Sequence, residues 1–300
     1  MEFTKQPLKP FGEEILAIEV PTDLGLKTPL IFRCARLLQD NGCIDPAMRQ
    51  LVELCFDEAL TNAMLHGNRL NRQKKLRLRL FCDDKRWGAI IEDEGAGFAL
   101  KDLPKPGVQD FTREAGRGIL LMDSYLDRLL YSEKGNRVMM IRRRERGVAP
   151  AEVAQPARAA EEKEMLEFEE AAAPSARARA AAAPPPEFAR ATIVGDVAVI
   201  EVFETRLSDV NVDRFRKEVE KALAGCRSLV FDMARVNYIS SVILSAFASF
   251  ARALRPKGGA MKIAGAHPAV LAVLKASGFD KLLDPQPDRE SALARLRAKS

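Results

Sequence analysis

The chain has 300 residues, of which 47% are hydrophobic and 30% charged, and its formal net charge is +5. These values are typical of a soluble globular protein with room for two domains that each bury a core. The basic residues are dispersed apart from a short cluster at Arg142–Arg146, so the sequence indicates no nucleic-acid groove.

Two further features indicate where such a protein works. No apolar run reaches the about 18–20 residues that a membrane span requires, and the N-terminus lacks an apolar signal core. The cysteines have neither close pairing nor metal-type spacing; they are Cys34, Cys43, Cys55, Cys82 and Cys226. We therefore expect reduced thiols in a cytoplasmic protein that has no membrane segment.

The N-terminal part of the chain predicts a helix followed by two strands. Asp45 and Pro46 form a helix start, and the helix is expected to run to Gly67 as a left-handed stop. Alternating apolar residues in KLRLRLFCDD and RWGAIIEDEG then predict two strands that meet at a turn near Asp83 and Asp84.

A helical segment from about Gly118 to Leu126 and a strand at Arg137–Arg142 complete this part of the chain. The pattern indicates an α+β domain over residues 1–146, with helices on a mostly antiparallel sheet.

Residues 147–187 differ in composition from the rest of the chain. They are rich in Ala, Pro, Glu and Arg and cannot bury enough apolar surface to fold alone, which is typical of a flexible linker. A short helix around Glu161–Glu170 is compatible with the sequence, either as a transient helix in solvent or as a docking peptide.

Residues 188–300 alternate strands and helices. Strands are predicted at ATIVGDVAVIEVF, SLVFDM and AMKIAG. Helices are predicted at VNVDRFRKEVEKALAG, SVILSAFASFARAL, HPAVLAVLKASG and ESALARLRA. This alternation indicates a small α/β domain.

Three motifs of the first domain carry chemistry when they are taken together. Glu58 and Asn62 lie four residues apart on one helix face, where a carboxylate and a carboxamide suit a base and a Mg²⁺ ligand, or simply a solvated polar face. Asp93 ends an apolar strand before a glycine turn, and its carboxylate could accept a hydrogen bond from an exocyclic amine. The segment Gly116–Gly118 opens a helix whose N–H groups suit phosphates. An ordinary strand-ending turn and an ordinary glycine loop are the alternatives for the last two.

The succession DEALTNAMLHGN, EDEGAGF, GRGI and GNRVMMI resembles the GHKL ATPase superfamily, and within it the anti-sigma-factor serine kinases. This resemblance implies ATP and Mg²⁺ as cofactors, with Glu58 as general base, Asn62 as the Mg²⁺ ligand and Asp93 as the residue that reads the adenine amine. It also assigns five residues to the turn and to the phosphate-binding lid, namely Gly95, Gly97, Gly116, Arg117 and Gly118. Asn136 stands where many relatives carry threonine, which leaves the last hydrogen bond of the adenine pocket open.

The segment LVFDMARVNYISSVIL of the second domain resembles the STAS, or anti-sigma-factor antagonist, signature. The resemblance places Ser241 on the phosphorylated serine and Ser240 on the aspartate that often precedes it. Helix capping is the structural alternative for both serines. Ile243 stands where the family often has glycine, and a bulkier residue there would crowd a docking kinase.

The two resemblances together predict a bacterial partner-switching regulator, in which a Mg²⁺-ATP-dependent serine kinase is fused to a phosphorylatable antagonist domain. The alternative is a non-catalytic, ATP-responsive binding module whose STAS domain recruits a partner or is phosphorylated by a separate kinase. The implied partners are STAS-domain or anti-sigma-type proteins, with a sigma factor among the candidates, and a homodimer is compatible with the sequence.

Overall fold

The computed structural model describes residues 1–98, 117–144 and 187–297, except for the side chain of Arg117. These residues form two compact units, one built on residues 1–98 and 122–144 and the other mainly on 187–297. Each unit is described by itself.

The first unit places helices on a six-stranded sheet. Its strands are β1 (Glu2–Thr4), β2 (Glu13–Pro21), β3 (Lys75–Cys82), β4 (Arg86–Asp93), β5 (Arg128–Ser132) and β6 (Arg137–Arg143). Its helices are α1 (Lys27–Asp40), α2 (Arg49–Thr61) and, from Met122 onward, the end of α3 (Arg117–Tyr125). The strand order is β1-β5-β6-β4-β3-β2, and only the β1–β5 pair is parallel. The predicted α+β architecture is confirmed.

Strand β3 shows why the sheet buries one face against the helices. Leu76, Leu78 and Leu80 alternate with basic residues and are fully buried, because successive side chains of a strand point to opposite faces. The Phe56 ring of α2 stacks on the Trp87 ring of β4 with centroids 6.4 Å apart. Truncation of such a buried aromatic side chain typically costs about 3–5 kcal/mol of stability. This packing fixes α2 above the centre of the sheet.

Helix α2 begins as predicted but ends differently. Asp45 accepts a hydrogen bond from the Ala47 N–H before Pro46–Met48, so the predicted start is confirmed. After Thr61, however, the chain continues as a π-helix over Asn62–Gly67. Gly67 does not adopt a left-handed conformation, so that prediction was wrong.

The left-handed residues at the end of this helix are instead Arg69 and Leu70, with φ of 55° and 56°. What requires a glycine at position 67 is a close contact with Asp93, which belongs to the site described below.

The second unit is the predicted small α/β domain. Its main sheet has the order β12-β10-β8-β7, and a two-stranded sheet pairs β11 with β9. The strands are β7 (Ala189–Val194), β8 (Val197–Val202), β9 (Arg206–Leu207), β10 (Ser228–Asp232), β11 (Tyr238–Ile239) and β12 (Met261–Ala264). The helices are α4 (Val212–Ala222), α5 (Ser241–Leu254), α6 (Pro268–Ala276), α7 (Asp280–Leu283) and α8 (Arg289–Arg297). Strand β10 is parallel to both of its neighbours.

All five cysteines are buried free thiols, as the reduced state predicted from the sequence requires. Within the part of the chain that the structure describes, no helix is long and apolar enough to cross a membrane.

Candidate functional site

Helix α2 presents two polar pairs on adjacent faces. Glu58 is only 8% exposed, and Asn62, four residues later, is half-buried at the first position of the π-helix. Asp57 and Thr61 form the neighbouring pair, and both contact Lys27 at the start of α1. A solvated polar face does not describe this arrangement, because Glu58 and Asp57 are both buried.

Lys27 is a buried lysine that sequence reasoning missed. It is 3% exposed, and its Nζ lies 2.8 Å from Asp57 Oδ1 and 3.2 Å from Thr61 Oγ1. The first turn of α1 carries no apolar pattern that would distinguish this lysine from a surface residue. The signal lies only in its contact with a helix 30 residues further along the chain.

Asp93 is held at the end of β4 with one carboxylate oxygen occupied. Its Oδ1 accepts a hydrogen bond of 2.7 Å from the Gly95 N–H, while Oδ2 makes no hydrogen bond within the described residues. The side chain is 8% exposed, and burial raises the pKa of Asp93 above its usual value of 3.8. The Gly95 N–H, Lys134 and Lys74 oppose this effect and favour the charged form. One oxygen therefore remains available for a hydrogen-bond donor.

Gly67 and Gly95 enclose the Asp93 carboxylate. A Cβ on Gly67 would lie 2.5 Å from Asp93 Oδ1 and 2.6 Å from Oδ2, and a Cβ on Gly95 would lie 2.6 Å from Oδ1. None of these three distances is sterically allowed, so both positions require glycine while the carboxylate stays in place. The end of the α2 segment and the turn after β4 are thus packed together.

Gly97 lies in the turn to which the resemblance assigns it, and it packs closely against a second turn. Its φ is +76°, and a Cβ there would overlap the Lys134 carbonyl oxygen in the β5–β6 turn. In return, a Cβ on Gly135 would overlap the carbonyl oxygen of Phe98. The two turns therefore interlock through glycines, and this contact shapes the backbone that follows Asp93.

Tyr131 of β5 packs against the same turn. Its ring packs edge-on against Phe98 with centroids 5.1 Å apart. Burial raises the pKa of Tyr131, and the nearby charges of Asp123 and Glu58 add to the effect. The structure thus brings the Glu58 helix and the Asp93 turn into one neighbourhood.

Two asparagines that the predicted site did not include hold the Asp93 turn. Asn68 is completely buried, and its Nδ2 donates to Thr22 Oγ1 at 2.8 Å and to the Lys75 carbonyl at 2.9 Å. Its Oδ1 accepts from the Glu94 N–H at 2.8 Å. Asn136 Nδ2 donates to the backbone carbonyl of Asp93, and the backbone carbonyl of Asn136 accepts a hydrogen bond from the Asp93 N–H. Asn136 therefore clamps the Asp93 backbone.

The lid residues are described only in part. Gly116 lies outside the described residues, and Arg117 and Gly118 form the first turn of α3. The predicted helical segment is confirmed, whereas its start and the phosphate contacts of these residues stay a prediction.

The serines of the second unit lie at the start of α5. Ser240 is the N-cap residue and Ser241 the first helical residue. Ser240 is 1% exposed, and its hydroxyl finds no hydrogen-bond partner in the described part of the chain, so it does not act as the expected side-chain cap. Ser241 is 9% exposed.

Ile243 is completely buried. This side chain belongs to the packing of α5 and offers no surface of its own, so the predicted crowding of a docking kinase by Ile243 is not supported.

Comparisons with known proteins give two family matches. Residues 22–142 match the histidine kinase-like ATPase domain, and residues 189–292 match the STAS domain. The chain joins a histidine kinase-like ATPase domain to a STAS domain. The match to an ATPase domain implies ATP binding by the first domain.

Curated relatives of the ATPase domain include the anti-sigma F factors of Bacillus subtilis (strain 168) and Bacillus velezensis. Each is 31% identical over 91 residues, which are 28% of this chain and 61% of the relative. The chain thus spans about three fifths of the length of these relatives.

Solved structures similar to the chain include an anti-sigma factor antagonist from Mycobacterium paratuberculosis and a putative one from Thermotoga maritima. The former has 21% identity and a TM-score of 0.34 over 39% of this chain and 99% of the other. The latter has 20% identity and a TM-score of 0.34 over 36% of this chain and 94% of the other.

Proposed function

We propose that the chain is a partner-switching regulator whose first domain transfers phosphate from Mg²⁺-ATP to a serine of a STAS domain, Ser241 in this chain. Its partners would be STAS-domain or anti-sigma-type proteins, and the anti-sigma relatives support a sigma factor as a further partner. The observation that carries the proposal is the buried Asp93 carboxylate, which keeps one oxygen open beside the helix that bears Glu58 and Asn62.

The residues present fit a magnesium nucleotide. Asp93 Oδ2 offers an acceptor to the adenine amine, and the Asn62 side-chain oxygen is the kind of hard ligand that Mg²⁺ prefers. When bound, Mg²⁺-ATP would supply the phosphoryl group and neutralise its charge. Glu58 would take the proton from the serine hydroxyl, and the interlocked turns would hold Asp93 in place.

Binding is tested by calorimetry on the full chain with Mg²⁺-ATP. The Asp93→Asn variant is expected to bind ATP about ten- to a hundredfold more weakly, since a charge-assisted hydrogen bond worth about 1.5–3 kcal/mol is lost. Glu92→Gln is the matched control, because Glu92 pairs with Arg137 on the other face of the sheet, 2.6 Å apart. Equal affinity in the wild type and Asp93→Asn would refute the nucleotide role of this turn.

Catalysis is tested by incubating the full chain with labelled ATP and Mg²⁺ and mapping any phosphoserine. Glu58→Gln should bind Mg²⁺-ATP normally but transfer phosphate about 10²–10⁴-fold more slowly. Glu53→Gln on the same helix is the control. Ser240→Ala and Ser241→Ala distinguish the two acceptors, and transfer at the wild-type rate in Glu58→Gln would remove Glu58 from the reaction.

A second candidate function is favoured by the burial of the acceptor serines. With Ser240 1% and Ser241 9% exposed, the hydroxyls must move before a kinase can reach them. A non-catalytic module, in which ATP binding in one domain accompanies partner recruitment by the other, needs no such movement. ATP binding without any phosphoserine, in this chain or on added STAS domains, would favour this second function.

A further inference from the structure

Lys27 occupies a position that costs free energy on two counts. It is the first residue of α1, where the helix dipole disfavours a cation, and it is 3% exposed, where an ammonium group loses its hydration. A buried charge of this kind persists only when it is paired and hydrogen-bonded. The compensation comes from α2, through Asp57 at 2.8 Å and Thr61 at 3.2 Å.

The two acceptors mark a change in the geometry of α2. Asp57 and Thr61 lie one turn apart, and Thr61 is the last residue of the α-helix before the π-helix begins at Asn62. A π-turn is rare, often occurs at functional sites and shifts the direction of every later side chain. Lys27 therefore holds the last α-helical turn immediately before this shift.

The residues of the proposed reaction follow these acceptors by one position each. Glu58 follows Asp57 and Asn62 follows Thr61, so each lies about 100° further around the helix. Rotation of α2 about its axis would move both pairs together. The ion pair with Lys27 therefore acts together with the packing of Phe56 on Trp87 to hold the direction in which Glu58 and Asn62 point.

At its other end the π-helix is also tied down. The Asn68 N–H donates to the Ala63 carbonyl at 2.8 Å, and the buried Asn68 side chain binds the turn that follows Asp93. With the far end held by Asn68, the contact of Lys27 with Thr61 holds the near end of this segment, next to Asn62.

We propose that Lys27 is a positioning residue, which fixes the junction between the α-helix and the π-helix and thereby aims Glu58 at the acceptor hydroxyl and Asn62 at Mg²⁺. The proposal rests on the proposed function. Lys27 itself touches neither nucleotide nor acceptor in this assignment, and it acts through Asp57 and Thr61.

The test replaces the ion pair by apolar residues in the full chain, as Lys27→Met/Asp57→Leu. Buried ion pairs can often be replaced in this way without loss of stability, whereas Lys27→Met alone removes the cation from beside the buried Asp57 carboxylate and should unfold at lower urea. In the double variant we expect a near wild-type urea midpoint and unchanged affinity for metal-free ATP. The gain in ATP affinity on adding Mg²⁺ should be largely lost, and phosphate transfer should fall about a hundredfold.

The matched control is Arg49→Met/Glu53→Leu, which removes a pair 2.9 Å apart on the same helix, with Glu53 5% exposed. This control variant should retain the full increase in ATP affinity on adding Mg²⁺ and the wild-type rate of phosphate transfer. A merely structural role for Lys27 predicts the same for Lys27→Met/Asp57→Leu, and that result would overturn the proposal. Should the wild type bind Mg²⁺-ATP but transfer no phosphate, the kinase function fails, and the Mg²⁺ gain alone decides the role of Lys27.

Discussion

Asp93 acquires its chemistry from residues that are far from it in sequence. Gly67 lies against its carboxylate, Asn136 binds its backbone and Gly95 donates to one of its oxygens. The strand-then-glycine pattern was enough to select Asp93 as a candidate. It could not show that Gly67 serves the carboxylate, because that contact depends on how the helix end meets the turn.

The burial of the Asp93 carboxylate predicts that the stability of the folded state depends on pH. Since the pKa of Asp93 is raised in the folded state, its contribution to stability is fully present below pH 3.8 and is lost as the pH rises through the folded pKa. Asp93→Asn does not titrate at this position. In the absence of ATP, the free energy of unfolding of the variant should therefore increase relative to that of the wild type as the pH rises from 4 to 7.

Asp284 provides the control of opposite sign. The hydrogen bond from Lys262 lowers the pKa of Asp284, so its contribution is present above pH 3.8 and is lost as the pH falls through the folded pKa. Asp284→Asn should be less stable than the wild type at pH 7, with a smaller deficit in acid. Parallel pH profiles for wild type and Asp93→Asn, from urea unfolding, would contradict a raised pKa at Asp93.

At the scale of elements, the turn after β4 and the β5–β6 turn form one interlocked unit. Gly97 and Gly195 both have positive φ, +76° and +65°, but only Gly97 faces a backbone atom where its Cβ would be. Gly97→Ala should therefore lose both stability and ATP affinity. Gly195→Ala should cost only the strain of a left-handed alanine, about 1–2 kcal/mol.

Urea unfolding and ATP calorimetry of the two glycine variants distinguish the effect of a steric clash at position 97 from the backbone strain of a left-handed alanine. If Gly97→Ala loses no more stability than Gly195→Ala and binds ATP normally, the interlock of the turns is unimportant. Both measurements use the full chain.

Several of the elements predicted from sequence have long, regular patterns, although helix α1 and strand β2 were not predicted despite their length. The alternation in β3 and the apolar stripe of α5 repeat over enough residues to identify a strand and a helix. Strand β5 and the two-residue strands β9 and β11 were missed, because such short segments carry no period. The π-helix was missed as well, since nothing local distinguishes Asn62–Gly67 from a further α-helical turn.

At the scale of the whole molecule, each unit contains its own buried apolar cluster. One cluster includes Phe81 and Ile90 of the first unit, and another includes Val199 and Val230 of the second. Separate cores generally unfold in separate transitions unless a large interface couples them. We therefore expect two transitions on urea denaturation.

The cysteines allow this to be measured. Burial raises the pKa of Cys34 and of Cys43 to about 12 from 9.0, which leaves about a thousandfold fewer thiolates than an ordinary cysteine has. Labelling of Cys34 and Cys43 by iodoacetamide in the native state should therefore be very slow. Cys226 is the only cysteine of residues 187–300, so its labelling in urea reports the second unit alone.

Mass spectrometry of the labelled peptides would assign each thiol. Labelling of Cys226 and of the other four cysteines at a single urea midpoint would show instead that the two units unfold together. Cys226→Ser confirms the assignment by removing the signal of the second unit.

Arg144, the residue that follows β6, joins two loops of the first unit. The Arg144 guanidinium donates to the carbonyl oxygens of Asn41, Gly42 and Asp83, at 2.6, 3.1 and 3.1 Å respectively. It thereby fastens the loop after α1 to the hairpin between β3 and β4. A fragment that stops at Arg143 would leave three carbonyl groups without their donor, although it retains every strand and helix of that unit. Anyone who cuts the ATPase domain free for separate study should therefore keep Arg144, because the last strand alone does not mark where the domain ends.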